Sequence, residues 1–184
     1  YVRTFNLGNT IDVEAIGDAT WGFLDGEGLM MHVLAPVEQP DPCNPEPLPR
    51  SNLAFGRRVT ASRSLPDEPP EQAVDGQPAQ WGAGADAPQW IQIDLGAPAT
   101  VRLIRLVVSQ WPAGGTVHQV WGSGPGEDLR LLHEFRGHTE SGQVLAFVPD
   151  APVEGIQIVR VVTLESPSWV GWKEIEVVGE TGDG

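Results

Sequence analysis

The chain has 184 residues, 40% hydrophobic and 20% charged, which is enough for one domain with an appendage and too little for two full domains. Eleven Lys and Arg, ten of them Arg, face twenty-five Asp and Glu; the net charge of −14 leaves no basic surface for a run of phosphates and excludes nucleic acid and anionic membrane as partners. No stretch reaches the ~20 apolar residues of a membrane-spanning helix, a single cysteine forbids an internal disulfide framework, and 17 Pro with 22 Gly point to short strands joined by turns.

Residues 1–35 read as short strands, Val2–Leu7, Thr10–Ile16, Ala19–Leu24 and Gly28–Leu34, with Asp25-Gly26 as a hairpin turn. This β arm carries Phe5, Ile11, Trp21, Phe23 and Leu29 but too little core to stand alone. It is expected to dock on another surface or to self-associate. Residues 36–50 form a semi-rigid spacer, because Pro36, Pro40, Pro42, Pro45, Pro47 and Pro49 fix φ and remove amide donors. Cys43 lies within it, either free or paired between chains.

From residue 51 to 179 the pattern changes to runs of two-residue periodicity, each bounded by Gly, Pro, Asp or Ser. Strands are predicted at Trp90–Leu95, Val101–Val108, Val117–Gly122, Leu129–Phe135, Val144–Val148, Ile156–Val162 and Ile175–Val178. No helical periods intervene, so a parallel α/β fold is excluded and an antiparallel β-sandwich is expected. Residues 180–184 are a short tail.

Four passages in this region bear on family: Asn52-Leu-Ala-Phe-Gly-Arg-Arg-Val-Thr-Ala-Ser62, Ala73-Val-Asp-Gly76, Trp81 with Trp90-Ile-Gln-Ile-Asp-Leu-Gly96, and Ser166-Pro-Ser-Trp-Val-Gly-Trp-Lys-Glu-Ile-Glu-Val-Val-Gly179. In that order and spacing they resemble the discoidin-like domain, also called the coagulation factor 5/8 type C domain, which overlaps a large group of carbohydrate-binding modules. The resemblance covers residues 51–179 and implies an all-β, eight-stranded jelly-roll sandwich. It also implies an attachment module without catalysis, whose end loops bind ligand and which often carries one structural calcium.

By that resemblance, Asp75 and Glu174 supply side chains to the calcium, and backbone carbonyls near Gln72, Gln77 and Trp172 or Lys173 complete an oxygen shell. The sequence departs from the pattern before Trp81, where Gln80 replaces a hydroxyl ligand. The alternative is a loop held by hydrogen bonds from Asp75, with Glu174 solvated or paired to Arg. A glycosidase built on the same two carboxylates is set aside, because nothing else in the sequence marks a cleft around them. There is no nucleophile elbow around Ser123, and His32, His118, His133 and His138 lack metal-ligand spacing.

Seven tryptophans are more than a small core needs, so some can serve as stacking platforms for sugar rings. Trp81, Trp90, Trp121 and Trp172 fall in or beside strands and are expected to pack inside. Trp111, in Ser-Gln-Trp-Pro-Ala-Gly-Gly115, stands in a loop where a large ring has no strand role, and Trp169 in Ser-Pro-Ser-Trp is similar. Groups able to fork across sugar hydroxyls on loops are Arg63, Arg136, His138 and, more weakly, His118.

The sequence therefore describes a non-catalytic module for a neutral glycan or surface polysaccharide, held out by an arm that docks or oligomerises, and expected outside the cell or at its surface. The competing description is a structural component of a surface layer, appendage or virion exterior, with the sandwich as decoration.

Overall fold

The structure is a computed structural model, and it describes residues 52–181. The predicted arm and its docking or oligomerising role, the proline spacer, Cys43, His32 and residues 182–184 lie outside the described residues. Eight strands follow in chain order: Arg58–Ala61 (β1), Trp81–Gly82 (β2), Gln89–Ser109 (β3), Gly114–Ser123 (β4), Arg130–Thr139 (β5), Val144–Phe147 (β6), Val153–Glu165 (β7) and Gly171–Thr181 (β8). One 3₁₀ turn, Pro70–Ala73, interrupts the loop between β1 and β2.

All strand pairings are antiparallel, in the order β2-β8-β3-β7-β4-β5, with β1 and β6 also pairing with β3. Two of the predicted runs are a single element. Trp90–Leu95 and Val101–Val108 are the halves of the 21-residue β3, which continues through Gly96-Ala-Pro-Ala99 because Gly96 adopts φ +85°. Its pairing register with β7 shifts between Asp94 and Ala99. The first half pairs with β1 and β7, and the second with β6 and β8. β3 thereby belongs to both layers of the sandwich. Ile91, Ile93 and Leu95 from one half and Ile104, Leu106 and Val108 from the other enter one core, each at most 1% exposed.

The alternation read from sequence is the physical cause of that core: along Trp90–Leu95 the odd positions are buried and the even ones half-buried. Trp81 and Trp172, register partners on β2 and β8, are fully buried as expected. Trp90 corrects the expectation of a core residue. It occupies an even position, is half-buried, and carries the Arg160 guanidinium 4.6 Å from its ring centre. Trp121 is likewise half-buried, its indole N–H donating to Gln119 Oε1 at 3.1 Å.

Candidate functional site

β3 ends at Ser109, and the next residue builds a loop. Gln110 is buried, and its side-chain amide donates to the carbonyls of Thr139 (3.0 Å) and Pro112 (3.2 Å) while its oxygen accepts from Thr139 Oγ1 (2.9 Å). Thr139 Oγ1 is also 3.0 Å from Thr116 Oγ1. This network ties the loop to the start of β4 and the end of β5, and a buried network with its partners satisfied rigidifies what it holds. The ring of Trp111, adjacent to Gln110, is left 86% exposed.

A second loop, between β7 and β8, is held as firmly. Val170 N–H donates to the Ala85 carbonyl (3.0 Å), and Ala83 N–H to the Val170 carbonyl (2.8 Å). Pro167 lies against Gly114, where a Cβ would come 2.9 Å from its ring. Trp169 emerges from this loop 59% exposed. Both tryptophans line one cavity of about 720 Å³, within the range of small-molecule sites.

The cavity's polar lining comes from residues far apart in sequence. Ser109 Oγ donates to Gln80 Oε1 (2.5 Å) and Gln80 Nε2 donates to Glu68 Oε1 (2.9 Å). The other Glu68 oxygen lies against the backbone of Gly82, in space that any side chain at position 82 would fill. Asp86 contributes a second carboxylate, and no Lys, Arg or His is among the described lining residues. Gln80, considered above as a replacement metal ligand, is thus committed to this chain of hydrogen bonds.

Of the sequence-predicted ligand-binding residues, Trp111 and Trp169 are brought together and the others lie apart from the cavity lining. Arg136 and His138 correct the expectation of loop positions, since both lie on β5. Arg136 is engaged with Glu134 (3.4 Å) and Glu165 (3.8 Å). Arg63 is exposed on the segment after β1, where its carbonyl accepts from the Trp81 indole at 3.0 Å. His118 is a correction of a different kind. It is 3% exposed, with Nδ1 3.0 Å from Thr163 Oγ1 and its ring edge-on to Trp172 at 4.8 Å, so it faces the interior and not a ligand. Burial holds its pKa down at about 4.

The predicted metal residues form a separate place. Gly76 N–H donates to Glu174 Oε2 at 3.2 Å, joining the loop after the 3₁₀ turn to β8, and Asp75 Oδ1 accepts from Gln77 N–H at 2.8 Å. Glu174 is 8% exposed, and its Oε1 is buried without a hydrogen-bond partner. Burial raises its carboxyl to about 8; the Gly76 N–H opposes this, and the carboxylates of Asp75 and Glu176 add to it. Gln72 lies on the 3₁₀ turn with its amide 3.4 Å from the Asp67 carbonyl, and Lys173 is half-buried beside Glu174 on β8. Among the described residues no three His, Cys, Asp or Glu side chains gather as a metal cluster. A cation here would therefore draw on backbone carbonyls, which suits calcium and not zinc. An orphaned, buried carboxylate oxygen with a second carboxylate near it fits such an ion.

The F5/8 type C domain sequence profile matches residues 58–177. The chain belongs to this family. Among solved structures, the domain is similar to the family 32 carbohydrate-binding module of C. perfringens NanJ in complex with galactose, at 16% identity and a TM-score of 0.60, covering 69% of this chain and 96% of that one. It is similar to chitosan-binding module 1 from a chitosanase/glucanase of Paenibacillus sp. IK-5, at 23% identity and a TM-score of 0.60, covering 70% and 98%. A third similar structure is a family 32 module of Clostridium perfringens GH89 in complex with GalNAc-β-1,3-galactose, at 20% identity and a TM-score of 0.59, covering 70% and 99%. These likenesses establish the β-sandwich fold. No curated protein sequence matches the chain.

Proposed function

We propose that residues 52–181 are a non-catalytic attachment module that seats a glycan in the cavity between Trp111 and Trp169. One observation carries this reading: two tryptophans from separate loops, 86% and 59% exposed, line the same cavity. Leaving a ring as open as Trp111 in water costs roughly 4 kcal/mol relative to burying it, and no strand or core contact among the described residues offsets that cost. Apolar C–H faces of a sugar ring do. The family membership and the printed ligands of its structural neighbours, galactose, GalNAc-β-1,3-galactose and chitosan, support the same class of ligand.

In this mechanism the module performs no bond chemistry. The Gln110 network and the Val170 pairing hold the backbone of both loops in place before ligand arrives, so little loop-ordering entropy is lost on binding. Calcium held by Asp75 and Glu174 with neighbouring carbonyls would supply charge neutralisation at a buried carboxylate and so join the loop after the 3₁₀ turn to β8. Isothermal titration of the full chain against a panel of glycans tests the proposal. Binding of at least one glycan, reduced tenfold or more by Trp111→Ala, is the expected result; failure of every glycan to bind overturns it.

The apolar residues of the 1–35 arm favour a complementary role in assembly. Copies arrayed through the arm would gain avidity for a polysaccharide without new contacts, at a cell surface, in the extracellular space or on a virion exterior. A concentration-dependent oligomer that disappears when residues 1–35 are deleted is the expected outcome, and an unchanged oligomeric state refutes it.

A further inference from the structure

We infer that the cavity selects a sugar carrying a protonated amine, a glucosamine-type unit, over the N-acetylated and the acidic forms of the same sugar. This rests on the glycan-binding reading and departs from the neutral glycan expected from overall charge.

The first argument is charge. Among the described residues, Glu68 and Asp86 are the only ionisable side chains lining the cavity, and both are acids. Neither takes part in the ion pairs among the described residues, which join Arg102 to Glu180, Arg105 to Glu176, and Arg136 to Glu134 and Glu165. The arginines serve other faces of the sandwich, and the two carboxylates are left uncompensated.

Hydrogen-bonding capacity is the second argument. A neutral sugar recognised through adjacent hydroxyls is best met by forked donors such as Arg, and the described lining residues include none. Most of its amide and hydroxyl donors are engaged within the protein: both bonds of Gln110 Nε2 go to carbonyls, Gln80 Nε2 donates to Glu68, Ser109 Oγ donates to Gln80 and Ser168 Oγ donates to the Trp169 carbonyl, with the Ser141 hydroxyl the exception among the described lining residues. What remains is rich in acceptors. An ammonium group, with three donors and no acceptor, complements that lining, whereas an N-acetyl group brings one donor and a carbonyl in need of another. The tryptophan faces add a cation–π attraction for the same charge.

The glycine at position 82 is the third. Glu68 reaches its position only because residue 82 has no side chain, so the fold makes room there for a carboxylate that accepts from Gln80 through one oxygen and has no cationic partner among the described ion pairs.

The test is titration of the full chain with the β-1,4-linked glucosamine trimer, its fully N-acetylated form and galacturonic acid, at a pH where the amine is protonated. The expected result is about tenfold tighter binding of the glucosamine trimer than of the N-acetylated trimer, with no binding of galacturonic acid. Glu68→Gln and Asp86→Asn should each reduce that ratio, and about 1 M salt, which shortens electrostatic reach to ~3 Å, should reduce it too. Asp86 is exposed, so Asp86→Asn decides the matter even where Glu68→Gln fails to fold. Equal affinity for the two trimers, or a ratio untouched by both substitutions, overturns the inference and leaves the glycan-binding reading standing. Absence of binding to every glycan overturns both.

Discussion

His118 sets an acid limit on the fold. Its imidazole is buried on β4 against Trp172 and Thr163 and titrates at about 4, down from the ordinary 6.5, because burial disfavours the imidazolium. Nε2 has no partner in the interior, so nothing there rewards a second proton. The unfolded chain takes up that proton below 6.5, whereas the native state takes it up only near 4. Between those values the unfolded state binds more protons, and stability falls as the pH falls. At about 1.4 kcal/mol per pH unit the loss integrates to roughly 3 kcal/mol, a large share of the 5–15 kcal/mol typical of a domain. The perturbation is His118→Gln, and the assay is urea unfolding of wild type and variant at several values from pH 7.5 to pH 4. The variant is expected to be less stable at pH 7.5, through lost packing. Its deficit should shrink by about 3 kcal/mol on reaching pH 4, since the wild type alone bears the proton-linked cost. Taking the difference between the two proteins cancels every other titrating group. A deficit that stays constant across the range refutes the assignment.

Other outcomes follow from the same geometry. Calcium at a hundredfold excess over its Kd should add about 2.7 kcal/mol of stability and raise the Tm of wild type; Glu174→Gln should abolish that rise, and a chelator-insensitive wild-type melt refutes the site. Gln110→Ala removes the side-chain donor to the buried Thr139 carbonyl and leaves the Thr139 hydroxyl with Thr116 alone, so about 1–3 kcal/mol of stability should be lost. Glycan affinity should fall with it as Trp111 loses its support, and unaltered affinity would show that the network does not position the ring. Ile93→Ala, at a fully buried position on β3, should cost about 2–5 kcal/mol by urea unfolding. Gly82→Ala should displace the Glu68 carboxylate and erase the preference for the glucosamine trimer; a retained preference removes Glu68 from the site.

Local patterns determined much of this protein. Alternation at Trp90–Leu95 and along the later runs specified strands and their buried faces, because side chains on a strand point to opposite sides at a fixed period. Trp111 stood out as a ring in a loop, which needs no knowledge of the fold. Asp75 and Glu174, 99 positions apart in the chain, were linked in the sequence only through a family pattern; in the structure Gly76, next to Asp75, donates its N–H to Glu174. Tertiary structure alone decided the rest. Glu68, Asp86 and Ser109 carry no local mark of a site; they converge because β2, β3 and β8 pair in one sheet, and such pairings are set by the packing of the whole chain. The burial of His118 was equally invisible. β4 lies between β5 and β7, and Thr116, Val117 and His118 are buried in succession, so period two no longer tells an outward position from an inward one. A single strand's sequence specifies which residues share a face, while the charge and shape of a cavity depend on which faces meet.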